Sequence, residues 1–157
     1  MPHSVRRRVF ARQQGLTLIE LIVAIVILSL LTGAAIPIAR VRIRRDKERE
    51  LRRDLWEIRD AIDRYKDAAD RNAFQVKAGT EGYPPDLDTL VKGVDVAGKK
   101  VRFLRHIPAD PMTNKTEWGM RCMADDPDSQ SWCGSNVFDV YSLSQNTAMD
   151  GTKYSSW

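Results

Sequence analysis

Residues 16–39 read LTLIELIVAIVILSLLTGAAIPIA, twenty-four positions that carry one charge, Glu20. As a helix this run would be roughly 36 Å long, enough to cross the hydrocarbon core of a bilayer. A helix that is apolar on every face needs either lipid or a large protein interior around it. The remainder of a 157-residue chain is too small to supply that interior. Two other readings compete with a membrane helix. One is a central core helix. The other is a conventional secretory signal, with Gly33-Ala34-Ala35 as its small-residue cleavage site. A carboxylate inside the apolar core argues against that second reading.

Glu20 is the most informative residue of the run. At membrane depth a carboxylate costs at least about 2.5 kcal/mol unless it is paired or protonated. No Lys or Arg lies within the run to pair with it. A new α-amine could, if the chain were cut after Gly15. That amine would sit on Leu16, one helical turn from Glu20, in the same chain or a neighbouring one. The charge distribution agrees with a removable leader. The chain has 25 basic and 21 acidic residues, and residues 1–15 contain Arg6, Arg7, Arg8 and Arg12 and no acid, so 25 − 4 = 21 and the rest balances. The whole excess of +4 therefore lies in the N-terminal segment.

The segment Gly15-Leu16-Thr17-Leu18-Ile19-Glu20 resembles the class III signal of type IV pilins and type II secretion pseudopilins. The resemblance implies that a prepilin peptidase cuts between Gly15 and Leu16 and methylates the new amine of Leu16. Leu16 departs from the phenylalanine usual at that position. Pro37 matches a helix-kinking proline of the family, and with Gly33 it would weaken helical hydrogen bonding locally. The implied organisation is a leader over 1–15, a transmembrane segment over 16–39, an amphipathic continuation over 40–72 and a periplasmic domain over 73–157. Residues 40–53 hold eight basic and three acidic residues, so the positive-inside rule alone does not set orientation. The leader does, because its peptidase acts from the cytoplasmic side.

Beyond residue 39 the pattern becomes amphipathic. Leu51, Leu55, Ile58, Ile62, Tyr65 and Ala69 recur at steps of four and three, and opposite charges such as Asp60 and Arg64 stand at helical spacing. A helix is expected as far as about Arg71, so that residues 16–71 would span roughly 84 Å. The stripe is too short for a coiled coil. The basic stretch from Arg40 to Arg45 reads as a solvated or lipid-facing collar rather than a nucleic-acid site.

The C-terminal part reads as short elements. Asp86 can cap a helix running through Leu90, and residues 101–104 form a short apolar piece. Residues 107–113 are a proline-punctuated loop, and 118–123 and 137–142 read as strands. A turn is expected at Asp150-Gly151. The fold class is α+β, one long helix on a small antiparallel sheet. In order, Tyr83-Pro84, Ile107-Pro108, Asp110-Pro111, Trp118-Gly119, Asp139-Val140-Tyr141-Ser142 and Asp150-Gly151 resemble the G-type major pseudopilin of type II secretion.

That resemblance places the domain outside the inner membrane, where Cys122 and Cys133 would form a disulfide. In a reducing compartment they would be free thiols or weak metal ligands. Zinc is poorly supported, with no CxxC pair and only His106 nearby. The resemblance also raises calcium, bound through Ser142, Ser144, Asn146 and Asp150. The site would be weak, because a loop aspartate of the family is replaced by Gln145 or Asn146 and a glycine-rich stretch is missing. Asp125, Asp126 and Asp128 are a second candidate oxygen cluster, but a solvated loop is the favoured reading.

No phosphate-binding glycine loop, HExxH or GxSxG is present, so an enzyme is not expected. The expected function is a structural subunit of a type II secretion pseudopilus. It would form a homopolymer and work with prepilin peptidase, minor pseudopilins and an inner-membrane secretion platform. It would be a single-pass protein with no nucleic-acid partner. The alternatives are a type IV pilin for adhesion, motility or DNA uptake, and a membrane-anchored binding domain that does not polymerise.

Overall fold

A computed structural model describes residue 15 and residues 17–157, apart from the side chains at 34, 35, 37 and 38. The leader (but for Gly15), Leu16 and the Pro37 side chain lie outside that description. Helix α1 runs Leu18–Asp70. The chain divides into two units, residues 1–41 and 42–157.

In the first unit the described side chains of the run are exposed, among them Leu18 at 78% and Leu30 at 70%. Among the described residues no helix is long and apolar enough to cross a membrane. The transmembrane segment expected over 16–39 lies partly outside the described residues.

The second unit is organised on the continuation of α1. Leu51, Leu55, Ile58, Ile62 and Tyr65 are buried, and Ala61, Ala68 and Ala69 extend the same face. Full burial of one large aliphatic side chain stabilises by roughly 1.5–3 kcal/mol, so this stripe is the main apolar anchor of the unit. Asp54 lies at its edge, 4% exposed. Burial raises its carboxyl above the ordinary value, and the neighbouring Arg53 opposes that shift. The helix ends in a left-handed residue, Asn72, with φ 52°. Asn72 N–H donates to Ala69 O and Ala73 N–H to Ala68 O, the paired bonds of a Schellman ending.

Helix α2, Leu87–Lys92, starts at Asp86, whose carboxylate accepts from Thr89 N–H at 2.7 Å. It buries Leu87 and Leu90 against the α1 stripe. Instead of one sheet, the described residues form two separate antiparallel hairpins. Strands β1 (Val94–Val96) and β2 (Lys99–Val101) pair through a two-residue turn. Its central residues, Ala97 and Gly98, have φ of 49° and 79°, as a type I′ hairpin requires. The expected apolar piece at 101–104 divides accordingly. Val101 closes the exposed hairpin, whereas Phe103 and Leu104 are buried and bond to Leu90 O.

Strands β3 (Gly119–Arg121) and β4 (Asp139–Tyr141) pair Gly119 with Tyr141, Met120 with Val140 and Arg121 with Asp139. Each strand is three residues, inside the longer segments expected. The Tyr141 ring covers Gly119 so closely that a Cβ there would stand 2.3 Å from ring carbons. The Arg121 guanidinium lies 4.1 Å from the centre of the same ring. Gly119→Ala should therefore destabilise the domain by about 1–3 kcal/mol through displacement of Tyr141. Urea denaturation of the full chain in detergent measures this, and an unchanged midpoint would show that the ring moves freely.

Candidate functional site

Two regions carry the chemistry expected from the sequence: the start of α1 and the C-terminal segment. At the first, Gly15 is exposed, with no other residue's atom within 4 Å of where a Cβ would stand. Thr17 caps the helix: its hydroxyl accepts from Glu20 N–H at 3.3 Å. Thr17 and Glu20 thus occupy the first and last positions of an S/T-x-x-E capping pattern. Glu20 is exposed in the first turn, where a carboxylate interacts favourably with the positive end of the helix dipole. The same residue that is costly in lipid also helps start the helix. The capping pattern was legible in the sequence as Thr17-Leu18-Ile19-Glu20. Residues 34–38 fall within α1, so the helix continues past Gly33 and Pro37.

The C-terminal segment is latched onto α1 by polar side chains. Arg59 holds Asp139 Oδ1 at 2.6 Å, Val140 O at 3.0 Å and Trp157 O at 2.9 Å. Arg121 reaches the other oxygen of Asp139 at 3.4 Å and also Ser129 O and Ser155 O. One carboxylate thus joins a helix arginine to a strand arginine. Nearer the N-terminal end of the unit, Glu48 accepts from Met149 N–H and from the Tyr154 hydroxyl, both at 2.9 Å. Arg44 donates to Thr147 O, and Lys47 to Pro111 O at 2.9 Å. Burial raises the Tyr154 phenol above its ordinary value. Tyr154 and Trp157 pack edge to face at 5.1 Å.

The residues considered for calcium take other partners. The Ser142 hydroxyl is buried and donates to Asp110 Oδ2 at 2.6 Å. Asp110 is itself fully buried, and its other oxygen accepts from Met112 N–H. Ser142, Ser144 and Asn146 are linked by successive backbone-to-hydroxyl bonds. Asp150 belongs to a different feature, the turn before Thr152. The Thr152 hydroxyl and backbone N–H hold the Asp150 carboxyl below its ordinary value, and Arg52 stands 3.4 Å away. A calcium ion takes about six to eight oxygens, several of them carboxylate. These four residues offer one carboxylate, already held by a hydroxyl, an N–H and a guanidinium, so they do not fit a calcium cage.

Cys122 and Cys133 form a disulfide with Cα atoms 5.9 Å apart. Together with Asp125 they are the one group of metal-binding dimensions among the described residues. Bonded to each other, the sulfurs are not available as thiolates. Asp125 serves the loop instead, accepting from Cys122 N–H at 2.7 Å and Cys133 N–H at 3.3 Å.

Residues 10–36 match the family model for the prokaryotic N-terminal methylation motif. That match covers Gly15, Leu16 and Glu20 and supports prepilin-type processing and methylation. No curated protein and no solved structure matches the chain.

The disulfide closes a short loop, so removing it should cost roughly 3 kcal/mol by the chain-entropy relation. Urea denaturation of the full chain with and without reductant, or of the Cys122→Ser, Cys133→Ser double variant, measures this. Equal midpoints would assign the loop's order to Asp125 and its hydrogen bonds alone.

Proposed function

We propose that the chain is a structural subunit of the type II secretion pseudopilus. The observation that carries this reading is the methylation motif over residues 10–36, joined to a helix whose apolar side chains are exposed on every side. In this reading prepilin peptidase removes residues 1–15 from the cytoplasmic side and methylates Leu16. Residues 16–39 then anchor the subunit in the inner membrane, with the C-terminal domain in the periplasm. An apolar helix can leave lipid only if its surface is covered again, and lateral packing of the same helix from many copies does that. The Leu16 amine and Glu20 set the register, the role in which a buried ion pair is best attested. Identical copies related by a non-closing contact give a helical filament.

The order of the short elements around Tyr83-Pro84, Ile107-Pro108, Trp118-Gly119 and Asp150-Gly151 favours a G-type major pseudopilin over a type IV pilin. Minor pseudopilins and an inner-membrane platform are its partners in secretion across the outer membrane. The role is structural rather than catalytic.

Intact mass of membrane-extracted protein from a host with active prepilin peptidase tests the processing. The expected product lacks residues 1–15 and carries one added methyl group. Retention of residues 1–15 would overturn the reading, and a cut after Ala35 would replace it with an ordinary secreted domain. Glu20→Ala should leave cleavage intact and sharply reduce filament yield, seen by shearing and electron microscopy. Normal filaments from this variant would overturn the register argument.

A further inference from the structure

One flank of α1 beside the core stripe has a pattern of its own. Arg42, Arg45, Arg49, Arg52, Trp56 and Arg59 recur at steps of three and four. At about 3.6 residues per turn they form one stripe, roughly 26 Å long, about a third of a turn around the helix from Leu51, Leu55, Ile58 and Ile62, and its C-terminal end meets the domain through Arg59. Every position from 42 to 56 in it is exposed, with Arg49 at 75% and Trp56 at 67%. At its C-terminal end Arg52, Trp56, Arg59 and Trp157 border a concavity of about 310 Å³ floored by Leu55. Arg52 also stacks on the Trp157 ring, 4.1 Å from its centre. An exposed tryptophan among arginines is the composition that dominates the energy of protein interfaces.

The same chain presents a complementary surface. Residues 123–134 hold three aspartates and no basic residue. Asp126 and Asp128 are exposed and make no ion pair among the described residues. The apolar Met123 and Trp132 of the same loop are exposed too. The loop is fixed before any contact forms. The disulfide closes it, Asp125 binds both ends, Tyr141 OH donates to Gln130 O, and Trp132 Nε1 donates to Asn136 O at 2.6 Å. A preordered loop loses little entropy on binding.

We infer that the arginine–tryptophan stripe of one subunit receives the disulfide-closed acidic loop of a second copy of this chain. This rests on the pseudopilus reading and adds a periplasmic contact to it. The two surfaces differ, so the contact is heterologous and leaves an unoccupied stripe and an unoccupied loop at opposite ends of any chain of subunits; within one subunit Arg49, Arg52 and Arg59 pair with Asp46, Asp150 and Asp139. That is the geometry of an open filament.

The test uses the full chain in a host carrying prepilin peptidase and the assembly machinery. Arg45→Glu with Arg49→Glu, and separately Asp126→Lys with Asp128→Lys, should each lower sedimentable filament by about tenfold or more, because like charges then face each other. Combining all four changes should restore most of the yield. In an otherwise unaltered chain, a photo-crosslinking residue in place of Trp56 should join a second copy within residues 123–134, as read by peptide mapping. Unchanged yield in either charge-reversal pair, no recovery on combining them, or crosslinks that map elsewhere would overturn the contact. Loss of binding to phosphatidylglycerol vesicles with filaments intact would assign the stripe to lipid and overturn it too. The pseudopilus reading fails separately, and this contact with it, if the unaltered chain makes no filament.

Discussion

The C-terminal domain depends on one buried stripe of a helix. Its four strands are three residues each, and they pair only two by two. Isolated two-stranded hairpins are marginal in water. What makes them persist is the face of α1 from Leu51 to Ala69, against which Leu90, Phe103, Leu104, Val137, Val140 and Tyr154 pack. The helix is therefore both the scaffold of the domain and, further toward the N-terminus, an apolar surface without a covering. The two roles meet at the arginines after residue 39, where the side chains change from wholly apolar to amphipathic.

The parts of this architecture that rest on local physics were legible in the sequence. The periodicity of Leu51, Leu55, Ile58, Ile62 and Tyr65 defined the buried face, and Asp86 announced the start of α2. The cores of β3 and β4 lay inside the segments read as strands. The β1–β2 hairpin was missed, although Val94-Asp95-Val96 alternates and Ala97-Gly98 is a turn signal. Its exposed valines gave no reason to expect a core strand. The expectation of a single sheet failed because nothing local says which strands pair. The same limit hid the pairs that close the C-terminal segment. Arg59 with Asp139 and Ser142 with Asp110 are joined across sequence distances of 80 and 32 residues, and each residue alone reads as an ordinary polar position. The Ser142 hydroxyl, bonded to a buried carboxylate, is a contact of this kind.

Glu20 draws together two requirements that usually conflict. Its backbone N–H donates to the Thr17 hydroxyl and its carboxylate sits at the favourable end of the helix dipole, so the helix begins well. The same carboxylate makes the apolar run a poor permanent resident of lipid unless it finds a cation. In the pseudopilus proposed above, such a tension serves a subunit that starts in a membrane and leaves it for a polymer, because neither environment satisfies the residue without a partner.

The latch between α1 and the last residues bears on the order of folding. Glu48 meets Tyr154 across 106 positions of the chain, and Arg44 meets Thr147 across 103. Contacts of such long range form late, after the intervening loop has closed. The helix, whose bonds are local, forms before the segment that caps it. Until then it shows the stripe that its own domain covers. Closure of the final turn, with Tyr154 against that stripe, completes the covering of the core face.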